Sequence, residues 1–412
     1  MTTVEAGEQG AERASLGWRG GFGRLWGAAV VSRFGDALRG AALPLLAVSL
    51  TDSPVLVSLV TACGFLPWLL FGLLGGAIAD RVDQRRAMWA VDVARGVLMA
   101  AFAVVVWLGH ATIGLLLALA FALTTLQTLF DNAATALLPS VVAPEALSRA
   151  NARLMTGQEV MGRFVGAPLV PVALGLGAAV PYAADAATYL AAAALVASLG
   201  SVRPSGGEPR APGRTIRRDM AEGIKVLWRD GLLRALCVST TLCNIGIGAL
   251  IATLVLHVTG WLGAGDAGYA AVITVYGIGS VAGGLVAARV AERLGRGPTI
   301  MVCGIAQVAA LLALGVIREL PAAAAALGVF GFAGIIWNVT EVTMMQQRSP
   351  AEMLGRVSAA FRTLSIAGTP LGALLGGVIA GAWGLNTPAL AAAALFAGGL
   401  VALVPGMRAP IN

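Results

Sequence analysis

Long apolar stretches alternate with short polar ones along the whole chain, and almost nowhere does the pattern show the two-residue alternation of a strand. A helix needs roughly 20 apolar residues to cross a bilayer. Reading for runs of that length predicts twelve spans: Leu25–Leu50, Val55–Ala79, Met88–Leu108, Ile113–Leu138, Met155–Leu174, Val180–Leu199, Leu233–Val258, Tyr269–Ala287, Thr299–Val316, Ala322–Met345, Phe361–Ala382 and Pro388–Val404. Helices are chosen because backbone polar groups in lipid must bond within their own segment, and barrel-type segments of about ten residues are not seen. Ser201–Leu232 is the longest polar stretch, a Pro/Gly-rich linker that turns amphipathic near Arg217–Trp228. The expected organisation is a tail (1–24), a six-helix bundle (25–200), the linker with its surface helix (201–232), a second six-helix bundle (233–405) and a short tail (406–412). The fold class is an all-α membrane protein.

Composition sharpens this reading. The chain is 58% hydrophobic and only 12% charged, where an ordinary soluble domain carries about 25% charged residues. A soluble enzyme of this length could not cover its surface with so few polar groups. The net charge of +7 does not mark a nucleic-acid binder, because the arginines are scattered through short loops instead of forming one basic face. Lys225 is the single lysine and is followed by Val226, so no Walker loop is present. Cys63, Cys237, Cys243 and Cys303 lie in apolar runs without CxxC spacing and read as buried free thiols. His110 and His257 are too few for a zinc motif. No metal or cofactor is expected.

The arginines orient the chain. With a cytoplasmic N-terminus, 22 of the 28 basic residues fall on the cytoplasmic side, five (Arg33, Arg39, Arg95, Arg163, Arg362) fall within spans, and Arg318 alone lies outside. That imbalance is a strong positive-inside signal. Both termini are expected in the cytoplasm, with no cleavable signal peptide and the first span acting as its own insertion signal.

An internal repeat relates the halves. A shift of 208 lays Gly75-Gly76-Ala77-Ile78-Ala79-Asp80-Arg81-Val82 over Gly283-Gly284-Leu285-Val286-Ala287-Ala288-Arg289-Val290, and Asp36 over Asn244. A shift of 206 sets Asn132 over Asn338 and Pro144 over Pro350. Two similar halves fit transporter architecture, in which a central site lies at the repeat interface.

Gly76-Ala77-Ile78-Ala79-Asp80-Arg81-Val82-Asp83-Gln84-Arg85-Arg86 resembles the loop signature between spans 2 and 3 of the major facilitator superfamily, with Asp83 and Gln84 departing from it. Ser32-Arg33-Phe34-Gly35-Asp36, Ala136-Leu137-Leu138-Pro139, Asn151-Ala152-Arg153-Leu154, Asp185-Ala186-Ala187-Thr188-Tyr189 and Leu354-Gly355-Arg356-Val357 resemble its drug and siderophore exporter branch, which includes macrolide-efflux and enterobactin-exporter proteins. Together these stretches run from about Arg24 to Gly384. Gly162, Gly166 and Pro168 on span 5 resemble a degraded form of the superfamily's antiporter signature. The resemblance implies two pseudo-symmetric six-helix bundles, and a cytoplasmic gate at Gly76, Asp80, Arg81, Arg85, Asp131 and Arg289. It also implies a central cavity lined by span 1. Phe34, Arg39, Gln127, Asn244, Tyr276, Trp337 and Asn338 are the candidate cavity residues, suited to a bulky amphiphilic ligand.

An acid near mid-membrane costs about 2.5–3.5 kcal/mol on the insertion scale and is a functional hypothesis by default. Asp36 shares one helical face with Ser32, Arg39 and Gly40. Two readings stay open for it: a proton-exchange site in the cavity, or a permanent pair with Arg33 or Arg39. Glu341 on span 10 is either a second protonation site or, with Arg289, a fixed latch; Asp131 is matched with Arg81 or Arg85. Asp92 with Arg95, and Glu159 with Arg163, read as structural pairs within one helix. Asp185 stays open between gate, hydrogen-bonded core group and second acid.

The expected function is secondary active export of a lipophilic or amphiphilic small molecule (an antibiotic, drug or siderophore) in exchange for protons. An importer or lipid-handling transporter of the same fold, and a non-transporting receptor or scaffold, are the alternatives. An intramembrane enzyme is not expected, since neither Gly-x-Ser-x-Gly nor His-Glu-x-x-His occurs. The expected partners are the small-molecule substrate, protons and the lipid bilayer, with no nucleic acid. The chain is read as a multi-pass monomer of the plasma membrane.

Overall fold

The computed structural model describes residues 20–79, 83–142, 146–199, 216–350 and 353–407. The described residues form helices and connecting turns, without strands. In chain order these are α1 (Gly21–Leu50), α2 (Pro54–Ala79), α3 (Gln84–Trp107), α4 (Ile113–Val141), α5 (Leu147–Glu159), a π-helical segment (Val160–Gly166), α6 (Ala167–Leu176) and α7 (Val180–Ala197). There follow α8 (Ile216–Arg229), α9 (Gly231–Leu256), a second π-helical segment (His257–Trp261), α10 (Gly265–Leu294), α11 (Arg296–Val316), α12 (Leu320–Arg348), α13 (Leu354–Ile366), α14 (Gly368–Trp383) and α15 (Thr387–Met407). Joined across the π segments, and with α13 running into α14, they match the twelve expected spans and the amphipathic helix.

Among the described residues, nine of these helical stretches are long and apolar enough to cross a bilayer. The first span falls outside that count because of its charges, Arg24, Arg33, Asp36 and Arg39. The helices also run a turn or more past the apolar limits at several ends. Caps set the true limits: Asp83 accepts the Arg86 amide at 3.1 Å ahead of α3, and Thr112 accepts the Leu115 amide at 3.3 Å ahead of α4. Between those two helices the chain turns at Gly109, whose φ of 72° is open to glycine at no steric cost.

The helices cluster into two compact units. The first contains α1 as far as Leu46 and then Leu66 through α7; the second takes residues 47–65 together with α8 to α15. In the first unit α3 packs along α7 and α4. Its core holds Phe22, Leu25, Met88, Phe130, Leu137 and Val196. The core of the second unit holds Leu227, Leu233, Ile300, Phe361 and Leu403, and its tightest helix pairs are α10 with α12 and α9 with α14 and α15.

Glycine makes those pairs possible. A Cβ on Gly279 or Gly283 would strike the Gly328 or Phe332 carbonyl, and one on Gly372 would strike that of Ile245. Small residues let backbones approach where lipid offers no hydrophobic drive between helices. Ala62 of α2 joins Ala252 and Ala373 in the same unit by this rule.

Candidate functional site

The site in the first unit grows from three residues of α1. Ser32, Asp36 and Arg39 share one face by their spacing. Arg39 Nη2 lies 2.7 Å from Asp36 Oδ1, and Arg39 Nε lies 2.8 Å from Asp185 Oδ2 on α7. The Tyr189 hydroxyl donates to Asp36 Oδ1 at 2.5 Å and accepts from Arg39 Nη2 at 3.3 Å. One guanidinium therefore serves two carboxyls and a phenol. Side-chain exposure is 13% for Asp36, 18% for Arg39 and 0% for Asp185.

Close approach of α1 and α7 depends on Gly35, where a Cβ would strike Asp185 and Thr188. From α3, buried Arg95 pairs with buried Asp92 at 3.2 Å. Its guanidinium lies 4.7 Å from the Tyr189 ring centroid and 5.4 Å from that of Phe130 on α4. Aromatic faces on this cation supply attraction where water cannot.

A cavity of about 260 Å³ opens beside this network, lined by Ser32, Arg33, Asp36, Gln127, Asp131 and Gln158 among others. Its wall is predominantly polar. Gln127 donates to Asp131 Oδ1 at 2.7 Å across one turn of α4. Asp36 thus belongs both to the cavity wall and to the buried ionic network.

In the second unit Glu341 of α12 is buried, and it makes no ion pair among the described residues. It accepts from the Trp337 indole one turn earlier on α12 and contacts the Thr240 hydroxyl on α9, which also faces the Leu236 carbonyl at 2.9 Å. Arg289 is exposed, so a fixed Glu341–Arg289 latch is not what the structure holds.

Several expected roles change. Arg85 reaches the carbonyls of Val196 and Ala197 and caps the end of α7, where unsatisfied carbonyls attract a cation, instead of pairing with Asp131. Trp337 packs in the core beside Ile300 and Leu400, in the space that Gly304 leaves open. Asn244 donates to the Ser365 carbonyl at 2.8 Å and ties α9 to α13. Asn338 is exposed, and half-buried Tyr276 stacks toward Phe330. Phe34 is half-buried next to the network without lining the cavity.

Gly162 and Gly166 fall on the first π-helical segment and pack against α1, where a Cβ on Gly166 would come within 2.6 Å of the Ala37 Cβ. The surroundings of Gly76 and the side chains of Glu159, Arg163 and Pro168 lie outside the described residues, as do Asp80 and Arg81 altogether. Tyr189, Gln158 and Thr240 belong to the observed sites although no site role was expected of them. Asp185 and Tyr189 are spaced i,i+4, which places both on one face and was the available signal.

The family model described as Major Facilitator Superfamily matches residues 25–366, and a second match covers residues 236–411. The chain belongs to the major facilitator superfamily. It is 28% identical over 374 residues to an uncharacterized MFS-type transporter, y4rN, of Sinorhizobium fredii, covering 85% of this chain and 86% of that one. It is 26% identical over 403 residues to the multidrug efflux pump Tap of Mycobacterium tuberculosis, covering 92% of each.

Among solved structures, the nucleoside transporter NupG superposes with a TM-score of 0.73 at 10% identity, over 94% of this chain and 100% of that one. A bacterial homolog of the human lysosomal transporter Spinster superposes at 0.65 and 15% identity, over 94% of each. At such identities the structures speak for the fold alone. The protein is a multi-pass membrane transporter of the major facilitator type.

Proposed function

We propose that this transporter exports a lipophilic or amphiphilic small molecule in exchange for protons. The carrying observation is the position of Asp36, which faces a polar cavity on one side and a shared cation on the other. A carboxyl placed so can exchange protons with water in the cavity, and each exchange alters its hold on Arg39. A ligand or proton that interacts differently with two conformations shifts their balance by that difference.

Glu341 is the matching acid of the second unit. The Thr240 hydroxyl has one hydrogen and faces two acceptors, of which the Leu236 carbonyl can only accept. Both contacts are satisfied together when Glu341 carries its own proton. A charged carboxylate buried there without a cation would cost several kcal/mol (about 3–5 by analogy with broken buried pairs).

Export of a drug-like compound is supported by the likeness to the Tap efflux pump over nearly the whole chain. Orientation with both termini in the cytoplasm, location in the plasma membrane and action as a monomer complete the proposal. Gly76, Asp80 and Arg81 carry the gate role through the superfamily signature. The two six-helix bundles are proposed to span 25–200 and 233–405.

The test is accumulation of labelled antibiotics and siderophores in cells with and without the protein. Lower accumulation of at least one compound, abolished by a protonophore, is the expected result. Equal accumulation across a broad panel, or a deficit that survives the protonophore, contradicts the proposal.

A further inference from the structure

We infer that Asp185 is a proton-binding site of the first unit, occupied while Asp36 remains ionised. The inference rests on the proton-exchange reading above and adds where the first unit stores its proton. It begins with a charge balance. Among the described residues, three carboxyls, Asp36, Asp92 and Asp185, surround two guanidiniums, Arg39 and Arg95. Arg33 and Asp131 stand further out, on the cavity wall. Burying an uncompensated charge is expensive, and a group in that position takes up a proton instead. One of the three acids therefore holds one.

Geometry selects which. Asp36 Oδ1 receives both the Arg39 guanidinium and the Tyr189 hydroxyl, and the residue reaches the cavity. Donors of that kind stabilise the charged form. Asp92 has a guanidinium to itself, because Arg95 forms an ion pair with no other acid among the described residues. Asp185 has neither advantage. It shares Arg39 with Asp36, whereas Asp92 shares its guanidinium with no other acid among the described residues. Asp92 Oδ2 and Asp185 Oδ1 are both buried without a hydrogen-bond partner among the described residues, so the shared cation is what separates the two acids, and the half-compensated carboxyl is the one on which a bound proton rests at least cost.

The groups that face Asp185 come from every helix around it. α1 presents Arg39 and Asp36, α3 presents Arg95, and α7 itself adds Tyr189; Arg33 acts on Asp36, Asp92 on Arg95 and Tyr182 on Arg39. Asp131 of α4 acts through Asp36 and Arg95. Arg39 and the Tyr189 hydroxyl bridge the accessible acid to the buried one, giving a route from cavity to Asp36 to Asp185. When the proton leaves Asp185, two carboxylates compete for Arg39, and the tie between α1 and α7 is redistributed. Two acids on one cation titrate as a pair, so a change in either moves the other.

The experiment is infrared pH-difference spectroscopy of the full-length protein in lipid vesicles, following the carbonyl stretch of protonated carboxyl groups, with parallel counting of bound protons. No transported compound is needed. Asp185→Asn is expected to lose one titrating proton per chain together with its carbonyl band. Asp185→Glu is expected to keep that proton at a shifted frequency, which assigns the band even if the Asn variant fails to fold. Asp36→Asn is expected to move the titration midpoint while the band remains. An unchanged band in Asp185→Glu, or loss of the band in Asp92→Asn instead, overturns the inference. A band that behaves as expected in a protein without drug-driven proton flux overturns the exchange reading but leaves the proton site standing.

Discussion

Arg39 holds more of the network than any other residue, because its planar fork reaches Asp36, Asp185 and Tyr189 at once. Removing it leaves two carboxyls facing each other without a cation. Arg39→Gln is expected to destabilise the protein by about 3–5 kcal/mol, the scale of a broken buried pair. The check is thermal unfolding in detergent. Arg39→Lys, a point charge on a flexible stem, is expected to recover only part of that loss, since it cannot reproduce three directed contacts.

Asp230 gives a second residue-scale prediction, outside the bilayer. Partial burial opposes its ionisation. That is outweighed by the Leu233 and Leu232 amides and by Arg348 at 2.7 Å, which together hold the carboxyl below its ordinary value of 3.8. A depressed folded-state value means the stabilisation is present above the ordinary carboxylate range and fades as pH falls below it. Asp230→Ala should cost about 0.5–2 kcal/mol, as loss of an N-cap does. The difference from wild type measured near neutral pH should shrink in acid.

Glycine contacts govern the helices as elements. Gly372 and Gly381 are both on α14, yet a Cβ on the first collides with the Ile245 backbone of α9 and one on the second meets nothing within 4 Å. Gly372→Val is expected to lower stability by at least 1–3 kcal/mol, the range for overpacking (about that much or more). Gly381→Val is expected to behave like wild type. Yield of monodisperse protein in detergent separates the two.

The same scale shows what the sequence made legible. Hydropathy made the all-helical membrane architecture legible because each span must satisfy its own backbone bonds in lipid, and spacing alone found the Asp92–Arg95 pair. It could not place the π-helical turn at Gly162 and Gly166, which packs on α1. Nor could it separate Trp337 in a core from an aromatic on a cavity wall. Arg85 went to the α7 carbonyls because a helix end 111 residues away in sequence lay beside it. Asp185 was recognised as an unexplained acid, but its partner on α1 is set by tertiary structure.

At the scale of the whole molecule, the proposed orientation rests on the distribution of arginines, and labelling tests it directly. With the four native cysteines replaced, single cysteines at His110 and at Arg296 should fall on opposite faces of the membrane. A membrane-impermeant thiol reagent added to intact cells is expected to label the first and spare the second; the reverse pattern contradicts a cytoplasmic N-terminus. Beyond orientation, the proposed transport turns on one exchange: a proton for a molecule of drug, with Asp36 as the acid that meets the cavity. The most direct measurement follows proton movement in everted membrane vesicles on addition of a compound identified by the accumulation panel, comparing wild type with Asp36→Asn. Asp36→Asn is expected to insert normally and to lose substrate-dependent proton flux. Full flux and full transport by Asp36→Asn would contradict the proposed exchange.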